Sequence, residues 1–355
     1  MKIVSIVGAR PQFVKAAVLS RQFLTHSNIE EVIIHTGQHF DINMSDVFFD
    51  EMKIPRPNYF LGINGLNHGA MTGQMIEKIE QVLFKEKPDW VLVYGDTNST
   101  LAGSLAAVKL HIKVAHVEAG LRSYNMGMPE ELNRIITDRI STLLFCPTQN
   151  AVDNLNKEGY KYLPSKVVLT GDIMEDAAYY YQEQAVKPKE APVESQSFIL
   201  VTIHRAENTD NLLRLKSIFN ALKKISKETT VILPLHPRTK SLLIKEKIDT
   251  GNICIIDPIG YFNMIWLIKN CQLVMTDSGG LQKEAYFFKK YCVTLRDETE
   301  WIELVENGYN ILAGTDENNI LKIVNEFRDK LFNDKTNLYG GGNSARHITE
   351  NLINF

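Results

Sequence analysis

The sequence has few cysteines and no long hydrophobic run. Its four cysteines, in a chain of 355 residues, form no Cys-x-x-Cys pair, which argues against a zinc cage or a disulfide framework. No apolar run reaches the ~20 residues that a membrane-spanning helix needs, and the apolar stretch at the start is too short for a signal peptide. The composition therefore predicts a cytoplasmic enzyme.

The chain also lacks an excess of charge of either sign. Lys and Arg total 39 against 42 Asp and Glu, a formal charge of -3, and no block of like charge is present. Electrostatic binding to nucleic acid or to an anionic membrane is therefore not expected. With no short repeat or low-complexity segment, the length fits about two domains of roughly 150 residues each.

Short runs rich in β-branched residues alternate with longer helical patterns, which is typical of a parallel sheet covered by helices. We therefore predict an α/β fold. Strands are expected at residues 2–7, 31–35, 90–94, 114–117, 143–146 and 166–170, and in a second series at 198–203, 230–234, 253–256, 273–276 and 291–295. The Pro- and charge-rich segment 184–196 is expected to be an exposed connector.

The two series predict two Rossmann-like domains that face each other across a cleft. We place an N-terminal domain at residues 1–170, a C-terminal domain at residues 171–340, and a last helix at residues 341–355. In paired architectures of this kind the last helix often packs back on the first domain. Because functional groups of open parallel sheets gather at the carboxyl ends of the strands, the turns after the strands are where a site is expected.

One such turn contains Ser278, Gly279 and Gly280 between an apolar strand and a helical run. Unshielded backbone amides at a helix N-terminus form an anion site, to which Ser278 would add a hydroxyl donor. Glu284, one turn later, could accept hydrogen bonds from both hydroxyls of a ribose. For Ser-Gly-Gly alone an ordinary strand-to-helix turn is the better interpretation, but the pairing with Glu284 favours a nucleoside diphosphate site.

A second turn, GARPQF, also follows a strand and opens a helix, with Pro11 suited to the first helical turn. It does not match the Gly-x-Gly-x-x-Gly of dinucleotide-binding dehydrogenases, so a nicotinamide cofactor is not expected. Arg10 and Lys15 would project cations toward the mouth of the cleft, where phosphate or leaving-group charge would lie. Alternatively, both are solvated surface charges.

Ionisable residues are dense at the strand ends of the first half. Asp96 follows one strand, His116 and Glu118 end the next, and Glu130 and Glu131 stand at a helix start. Converging carboxylates repel one another when ionised, which raises some of their pKa values and suits general acid/base catalysis. In the alternative, Asp96 caps the next helix and one of the two glutamates serves the helix dipole.

Two histidines of the second half, His204 and His236, follow strands. His204 would face the acids from the opposite wall of the cleft. For a histidine at a strand end taken by itself, a structural role is the better interpretation, and His236 has the same ambiguity.

Taken in order, the motifs at these turns resemble those of the non-hydrolysing UDP-N-acetylglucosamine 2-epimerases and their close relatives. They are GARPQFVKAA, TGQHFD, GDTNSTLAG, HVEAGLRS, MPEELNR, HRAEN, LHPRT, TDSGGLQKEA and RDETEW. The resemblance extends from Lys2 to about Gly314. It implies the paired-Rossmann fold called GT-B, an active site in the cleft, a homodimer acting on a UDP-sugar, and no metal or nicotinamide requirement.

The same resemblance assigns roles to residues of the matching motifs. The catalytic residues fall on Asp96, Glu118, Glu130 and His204, and the cleft cations on Arg10 and Lys15. The diphosphate and ribose contacts fall on Ser278, Gly279, Gly280 and Glu284. Allosteric control by UDP-N-acetylglucosamine, known in the bacterial family, would involve Gln38 and His236 by position.

Three motifs depart from the common family pattern. The family pattern HRREN is HRAEN here, so that Ala206 replaces an arginine. The pattern TERPE is TEWIE, so that Trp301 replaces another arginine, and the pattern GTRPE is replaced by GARPQF. This combination resembles the subgroup that epimerises UDP-2,3-diacetamido-2,3-dideoxyglucuronic acid for surface polysaccharide synthesis. Trp301 could offer an apolar face to a sugar ring, and Arg122, Arg238 and Arg296 are candidate replacement cations.

We therefore expect 2-epimerisation of UDP-N-acetylglucosamine, with the diacetamidouronate as the alternative substrate. A GT-B glycosyltransferase would share the fold and the UDP site but needs a sugar acceptor and only one base. A catalytically silent nucleotide-sugar sensor would have no use for the acids. A hydrolysing epimerase would release the free sugar.

Overall fold

The computed structural model describes residues 1–38, 52–192 and 198–355. His39 and Asp41 of the TGQHFD motif and residues 193–196 of the connector lie outside this range. The described residues form two compact units, the first of residues 1–177 and 337–355 and the second of residues 178–336. Among the described helices, none is long and apolar enough to cross a membrane.

The first unit has a seven-stranded parallel sheet. Its strands are β1 (Lys2–Val7), β2 (Glu30–His35), β3 (Tyr59–Phe60), β4 (Trp90–Tyr94), β5 (Lys113–Val117), β6 (Leu143–Cys146) and β7 (Lys166–Leu169). Its helices are α1 (Arg10–Leu24), α2 (His68–Glu86), α3 (Asn98–Lys109), α4 (Pro129–Ile140), α5 (Gln149–Lys157) and α6 (Ile173–Tyr181), the last of which continues into the second unit. The strand order β3-β2-β1-β4-β5-β6-β7 reverses between β1 and β4.

The second unit has a six-stranded parallel sheet. Its strands are β8 (Phe198–Thr202), β9 (Thr230–Pro234), β10 (Cys254–Ile256), β11 (Leu273–Thr276), β12 (Cys292–Thr294) and β13 (Asn310–Leu312). Its helices are α7 (Ala206–Thr209), α8 (Leu212–Ile225), α9 (Pro237–Lys245), α10 (Tyr261–Asn270), α11 (Gly279–Phe287), α12 (Ile302–Glu306) and α13 (Glu317–Phe327). The order β10-β9-β8-β11-β12-β13 reverses between β8 and β11.

Both sheets have the Rossmann order, and the α/β class is confirmed. In β4 all five residues are buried, as expected for a parallel strand covered by helices on both faces. Two strands, β3 and β13, were not predicted. They have two and three residues, too few to show a periodic pattern, and they form because a neighbouring strand supplies hydrogen bonds.

A last helix, α14 (Ser344–Ile353), belongs to the first unit. The carboxylate of Asp176 caps it by accepting hydrogen bonds from the backbone amides of Ser344 at 3.1 Å and Ala345 at 2.9 Å. The described part of the connector is residues 184–192, of which Gln184 ends a short 3-10 helix, Gln182–Gln184, and residues 185–192 have no helix or strand. It is not uniformly exposed, because the Val186 amide donates to the Phe262 carbonyl and Ala191 is buried.

Candidate active site

Several residues predicted from sequence follow strands at, or next to, the point where strand order reverses in each unit. In the first unit, Asp96 follows β4 and Glu118 follows β5, and the register pairs Tyr94 with Val117 just before them. In the second unit, His204 follows β8 and Ser278 follows β11. Open α/β sheets bind ligands outside such reversal points, so each unit presents its polar residues where a ligand is expected.

Glu118 is held in a left-handed backbone conformation, with φ of 72°. Its amide donates to the Phe145 carbonyl at 3.1 Å, and its carboxylate pairs with the ammonium of Lys15, which is only 6% exposed. A Cβ on Gly95 would lie 3.3 Å from Glu118 Oε2, and Gly95 has φ of 63°, so a glycine is needed there. Such a conformation costs about 1–3 kcal/mol at a non-glycine residue, which the surrounding contacts must offset.

Asp96 also has a cationic partner. Its carboxylate pairs with Arg134, and its backbone carbonyl accepts from the Asn133 side chain at 2.9 Å. The alternative role as a helix cap is wrong, because Thr97 caps α3 with its side-chain oxygen. The expectation that Asp96 and Glu118 are mutually repelling carboxylates is also wrong, because Arg134 and Lys15 compensate their charges.

The two adjacent glutamates of α4 differ in environment. Glu131 is 1% exposed, accepts from the amides of Ser123 and Tyr124 at 3.0 Å each, and pairs with Arg134. It therefore fixes the preceding loop. Glu130 is exposed, which leaves its carboxylate open to solvent or to a ligand.

Gln12 is a structural residue of this site that the sequence did not reveal. It is 2% exposed, accepts from the amides of Gly8 at 2.8 Å and Ala9 at 3.0 Å, and donates to the Tyr94 carbonyl at 2.6 Å. It thereby ties the turn after β1 to the turn after β4. Arg10 begins α1 and Pro11 lies in its first turn, as predicted, but the Arg10 side chain lies outside the described part of the chain.

In the second unit, His204 is oriented by a buried carboxylate. Its Nδ1 lies 3.1 Å from Oδ1 of Asp277, which is fully buried and also accepts from the amides of His204 and Arg205. Burial acts to raise the pKa of Asp277, but the hydrogen bond and charge of His204 and the Arg205 amide outweigh it and lower the pKa. With Nδ1 engaged, Nε2 is the nitrogen left for chemistry. An aspartate directly after a strand and just before Ser-Gly-Gly was the available signal for this role.

The Ser-Gly-Gly turn opens α11, with the Ser278 side chain accepting from the Leu281 amide at 3.5 Å as the helix cap. A Cβ on Gly279 would collide with Glu300 Oε1, so a larger residue there would displace the Glu300 carboxylate. Gly280 is exposed, and a Cβ there would meet only Ser278 Oγ, at 4.0 Å. The amides of this first turn are therefore open to an anion from the Gly280 side.

Glu284 lies in the second turn of α11 and is partly buried. Burial raises its pKa to about 7, an effect that the charge of Lys283 partly offsets. Among the described residues, no group of three or more His, Cys, Asp or Glu side chains is arranged to hold a metal ion.

Trp301 does not offer its ring to a ligand, contrary to expectation. It is 6% exposed, its indole N–H donates to the Gly279 carbonyl at 2.9 Å, and Lys283 Nζ lies 4.1 Å from its ring centroid. Its ring is therefore used to support the Ser-Gly-Gly turn and to hold a buried cation.

The three candidate replacement cations have different surroundings. Arg122 is buried against Asp138 and Glu158, so its assignment as a sugar-binding cation is wrong. Arg238 has a side chain 79% exposed and pairs with Asp210. Arg296 is 6% exposed and donates to Glu300 at 2.8 Å, which places it beside the Ser-Gly-Gly turn.

Two Rossmann-order sheets, with carboxylates after strands of one and a Ser-Gly-Gly turn after a strand of the other, are typical of α/β proteins that bind nucleotides. The chain belongs to the UDP-N-acetylglucosamine 2-epimerase family, whose model matches residues 21–353. The family resemblance drawn from the motifs is thus confirmed, and the protein is a UDP-sugar epimerase.

Individual relatives agree with this membership. The chain is 52% identical over 353 residues to UDP-2,3-diacetamido-2,3-dideoxy-D-glucuronate 2-epimerase of Pseudomonas aeruginosa, covering 99% of each. A crystal structure of Methanocaldococcus jannaschii UDP-GlcNAc 2-epimerase in complex with UDP-GlcNAc and UDP is similar with a TM-score of 0.84, 42% identity and 100% coverage of both chains. The Neisseria meningitidis UDP-GlcNAc 2-epimerase bound to UDP-GlcNAc gives a TM-score of 0.86, 32% identity and 100% coverage of both chains.

Proposed function

We propose that the protein is a non-hydrolysing UDP-N-acetylglucosamine 2-epimerase that interconverts UDP-GlcNAc and UDP-ManNAc. Two clusters of polar residues, one in each unit, carry this proposal. The first consists of Asp96 and Glu118 with their cationic partners, and the second is the open Ser-Gly-Gly turn beside His204. The first suits proton transfer at a sugar carbon, and the second suits a diphosphate. Similar structures with bound UDP-GlcNAc support the substrate.

The chemistry explains why both clusters are needed. A hydrogen on C2 of a sugar nucleotide has no adjacent carbonyl, so its direct removal would leave a poorly stabilised carbanion. If a carboxylate takes the C2 proton while UDP leaves C1, the charge develops on the diphosphate instead, and a glycal forms. Returning a proton to the opposite face of C2 and re-adding UDP at C1 gives the 2-epimer.

The proposed roles follow from these steps. Asp96, Glu118 and Glu130 are the acid/base residues, since protons must leave one face of the ring and return to the other. The Ser-Gly-Gly amides and Arg10 stabilise charge on the departing diphosphate, as preorganised donors do. His204, oriented by Asp277, is the further donor to that charge, and Glu284 accepts from the ribose hydroxyls.

A specific observation favours UDP-2,3-diacetamido-2,3-dideoxyglucuronate as a second candidate substrate. The Pseudomonas aeruginosa relative that carries this name is 52% identical to the chain. A cation is needed to bind the carboxylate of a uronate, and Ala206 and Trp301 replace two arginines of the common family pattern. Two other arginines, Arg205 and Arg296, pair with Glu300, which lies beside Gly279, and are available for this role. Competition between the two UDP-sugars, scored as kcat/KM, decides the substrate, since that ratio reports transition-state binding.

We also propose that the enzyme is a cytoplasmic homodimer that supplies surface polysaccharide synthesis. Exposed apolar residues support the dimer. Leu132 and Ile136 lie on one face of α4, Met128 directly precedes this helix, and each of the three is about two-fifths exposed. Tyr124 and Met126 extend this surface in the preceding loop. Leu132→Glu should shift the sedimentation of the protein from dimer to monomer, and an unchanged sedimentation coefficient would remove this face as the interface.

Incubation with UDP-GlcNAc in deuterium oxide, without any acceptor, tests the reaction. We expect UDP-ManNAc to accumulate with deuterium at C2 of both UDP-sugars, because elimination exchanges that hydrogen with solvent. Epimerisation with the original hydrogen retained would exclude the mechanism. Release of free ManNAc would identify a hydrolysing epimerase. Binding of the UDP-sugar without turnover would identify a sensor, and turnover only in the presence of an added sugar acceptor would identify a glycosyltransferase.

A further inference from the structure

A buried ionic network lies behind the Glu118 turn, and no step of the proposed reaction uses it. His116 and Asp138 are both fully buried, and His116 Nδ1 lies 2.7 Å from Asp138 Oδ1. The other ring nitrogen, Nε2, lies 2.7 Å from the Gly95 carbonyl oxygen. His116 therefore bridges the Asp138 carboxylate and the Gly95 carbonyl with its two ring nitrogens.

Asp138 connects this histidine to the turn that carries Glu118. Its Oδ2 accepts from the Gly120 amide at 3.1 Å and from Arg122 Nη1 at 2.7 Å. Burial acts to raise the pKa of Asp138, but the hydrogen bond and charge of His116 and the charge of Arg122 outweigh it and lower the pKa. Asp138 is therefore a charged anchor for residues 120–122.

The network holds Glu118 from two directions. Through the Gly95 carbonyl, His116 fixes the residue against which the Glu118 carboxylate lies. Through the Gly120 amide, Asp138 fixes the chain two residues beyond Glu118. A side chain on Gly120 would collide with the Ala151 carbonyl, so the turn is packed closely against α5 at this residue. A left-handed glutamate persists only where its surroundings determine it in this way.

We propose that His116 and Asp138 are positioning residues that set the Glu118 carboxylate for proton transfer at C2 of the sugar. The inference rests on the proposed epimerase activity. It predicts that loosening the network moves the carboxylate relative to C2 without changing the Ser-Gly-Gly turn and Glu284, the proposed UDP contacts of the second unit.

Asp138→Asn tests the proposal, because it keeps the shape of the side chain and removes the charge that His116 and Arg122 face. We expect kcat to fall roughly 10- to 100-fold, as misplacement of a catalytic group by about 1 Å does. KM and the affinity for UDP should be unchanged. The primary isotope effect with C2-deuterated UDP-GlcNAc should increase, since proton transfer becomes more rate-limiting.

Asp172→Asn is the matched control. Asp172 is a buried carboxylate of the same unit, 2% exposed, that accepts from the Met174 amide at 2.8 Å. Its loss should lower the melting temperature and leave the isotope effect at the wild-type value. If Asp138 had a purely structural role, Asp138→Asn would also keep the wild-type isotope effect, and its kcat would fall only in proportion to the folded fraction. That outcome would overturn the proposal. A wild-type kcat in Asp138→Asn would overturn it as well.

If Asp138→Asn does not fold, His116→Gln carries the test. The glutamine amide can reproduce the donor to Gly95 at the Nε2 position while losing the link to Asp138. For His116→Gln we again expect a lower kcat, an unchanged affinity for UDP and an increased isotope effect. A wild-type kcat together with a wild-type isotope effect would overturn the proposal. A wild-type enzyme that does not exchange C2 hydrogen would instead refute the proposed function, so the two failures are distinguishable.

Discussion

Gly280→Ala should make the protein more stable and a weaker binder of UDP. The added methyl group meets only Ser278 Oγ, at 4.0 Å, so the fold accommodates it without a clash. Replacing a helical glycine by alanine stabilises by up to about 1 kcal/mol. For a unit the size of residues 178–336, 1 kcal/mol corresponds to a melting temperature shift of roughly 2–4 °C.

The effect on binding has the opposite sign. A Cβ in a helix points toward the N-terminus, so the methyl group would stand over the first-turn amides of α11. Losing a hydrogen bond from one of these amides to a charged phosphate costs about 1.5–3 kcal/mol, or roughly 10- to 100-fold in Kd. Isothermal titration with UDP and a thermal melt of the same sample measure the two effects.

Gly73→Ala in α2 is the control, since Gly73 has no atom within 4 Å of a built Cβ and lies in the other unit. It should raise the stability of the first unit and leave the Kd for UDP unchanged. Wild-type UDP affinity in Gly280→Ala would refute the assignment of this turn to the diphosphate. A loss of stability would refute the packing argument.

Three further changes test individual roles. Glu118→Gln should keep UDP affinity while kcat falls at least ~10²-fold, since it removes an acid/base group, and near-normal turnover would make Glu118 structural. Asp277→Asn should lower kcat by releasing the His204 ring from its 3.1 Å contact, and an unchanged pH–rate profile would contradict this role. The Glu284 pKa of about 7 predicts that UDP-GlcNAc binds more tightly as pH rises from about 6 to 8, because ribose hydroxyls favour the ionised carboxylate. Glu284→Gln should abolish that pH dependence in a titration, and its persistence would assign the proton elsewhere.

Much of the fold could be predicted from local pattern. The bounds of β1, β4, β6, β9 and β11 agree with the predicted runs, because buried parallel strands are continuous apolar segments. Strands β3 and β13 could not be predicted, since two or three residues are too few to show a periodic pattern. The clustering of Asp96 with Glu118 followed from topology alone, because adjacent parallel strands end at the same edge of a sheet.

The sequence by itself determined which residue types stand at the ends of the strands, and therefore the family and the class of chemistry. It did so because a strand followed by a polar turn is a local signal. Only the tertiary structure decided which charges pair. Lys15 meets Glu118 across 103 positions, and His116 meets Asp138 across 22. Trp301 turned out to support Gly279 because its indole N–H needs a buried acceptor, and that acceptor lies 22 residues away. Long-range pairings of this kind depend on packing between elements, which no local pattern specifies.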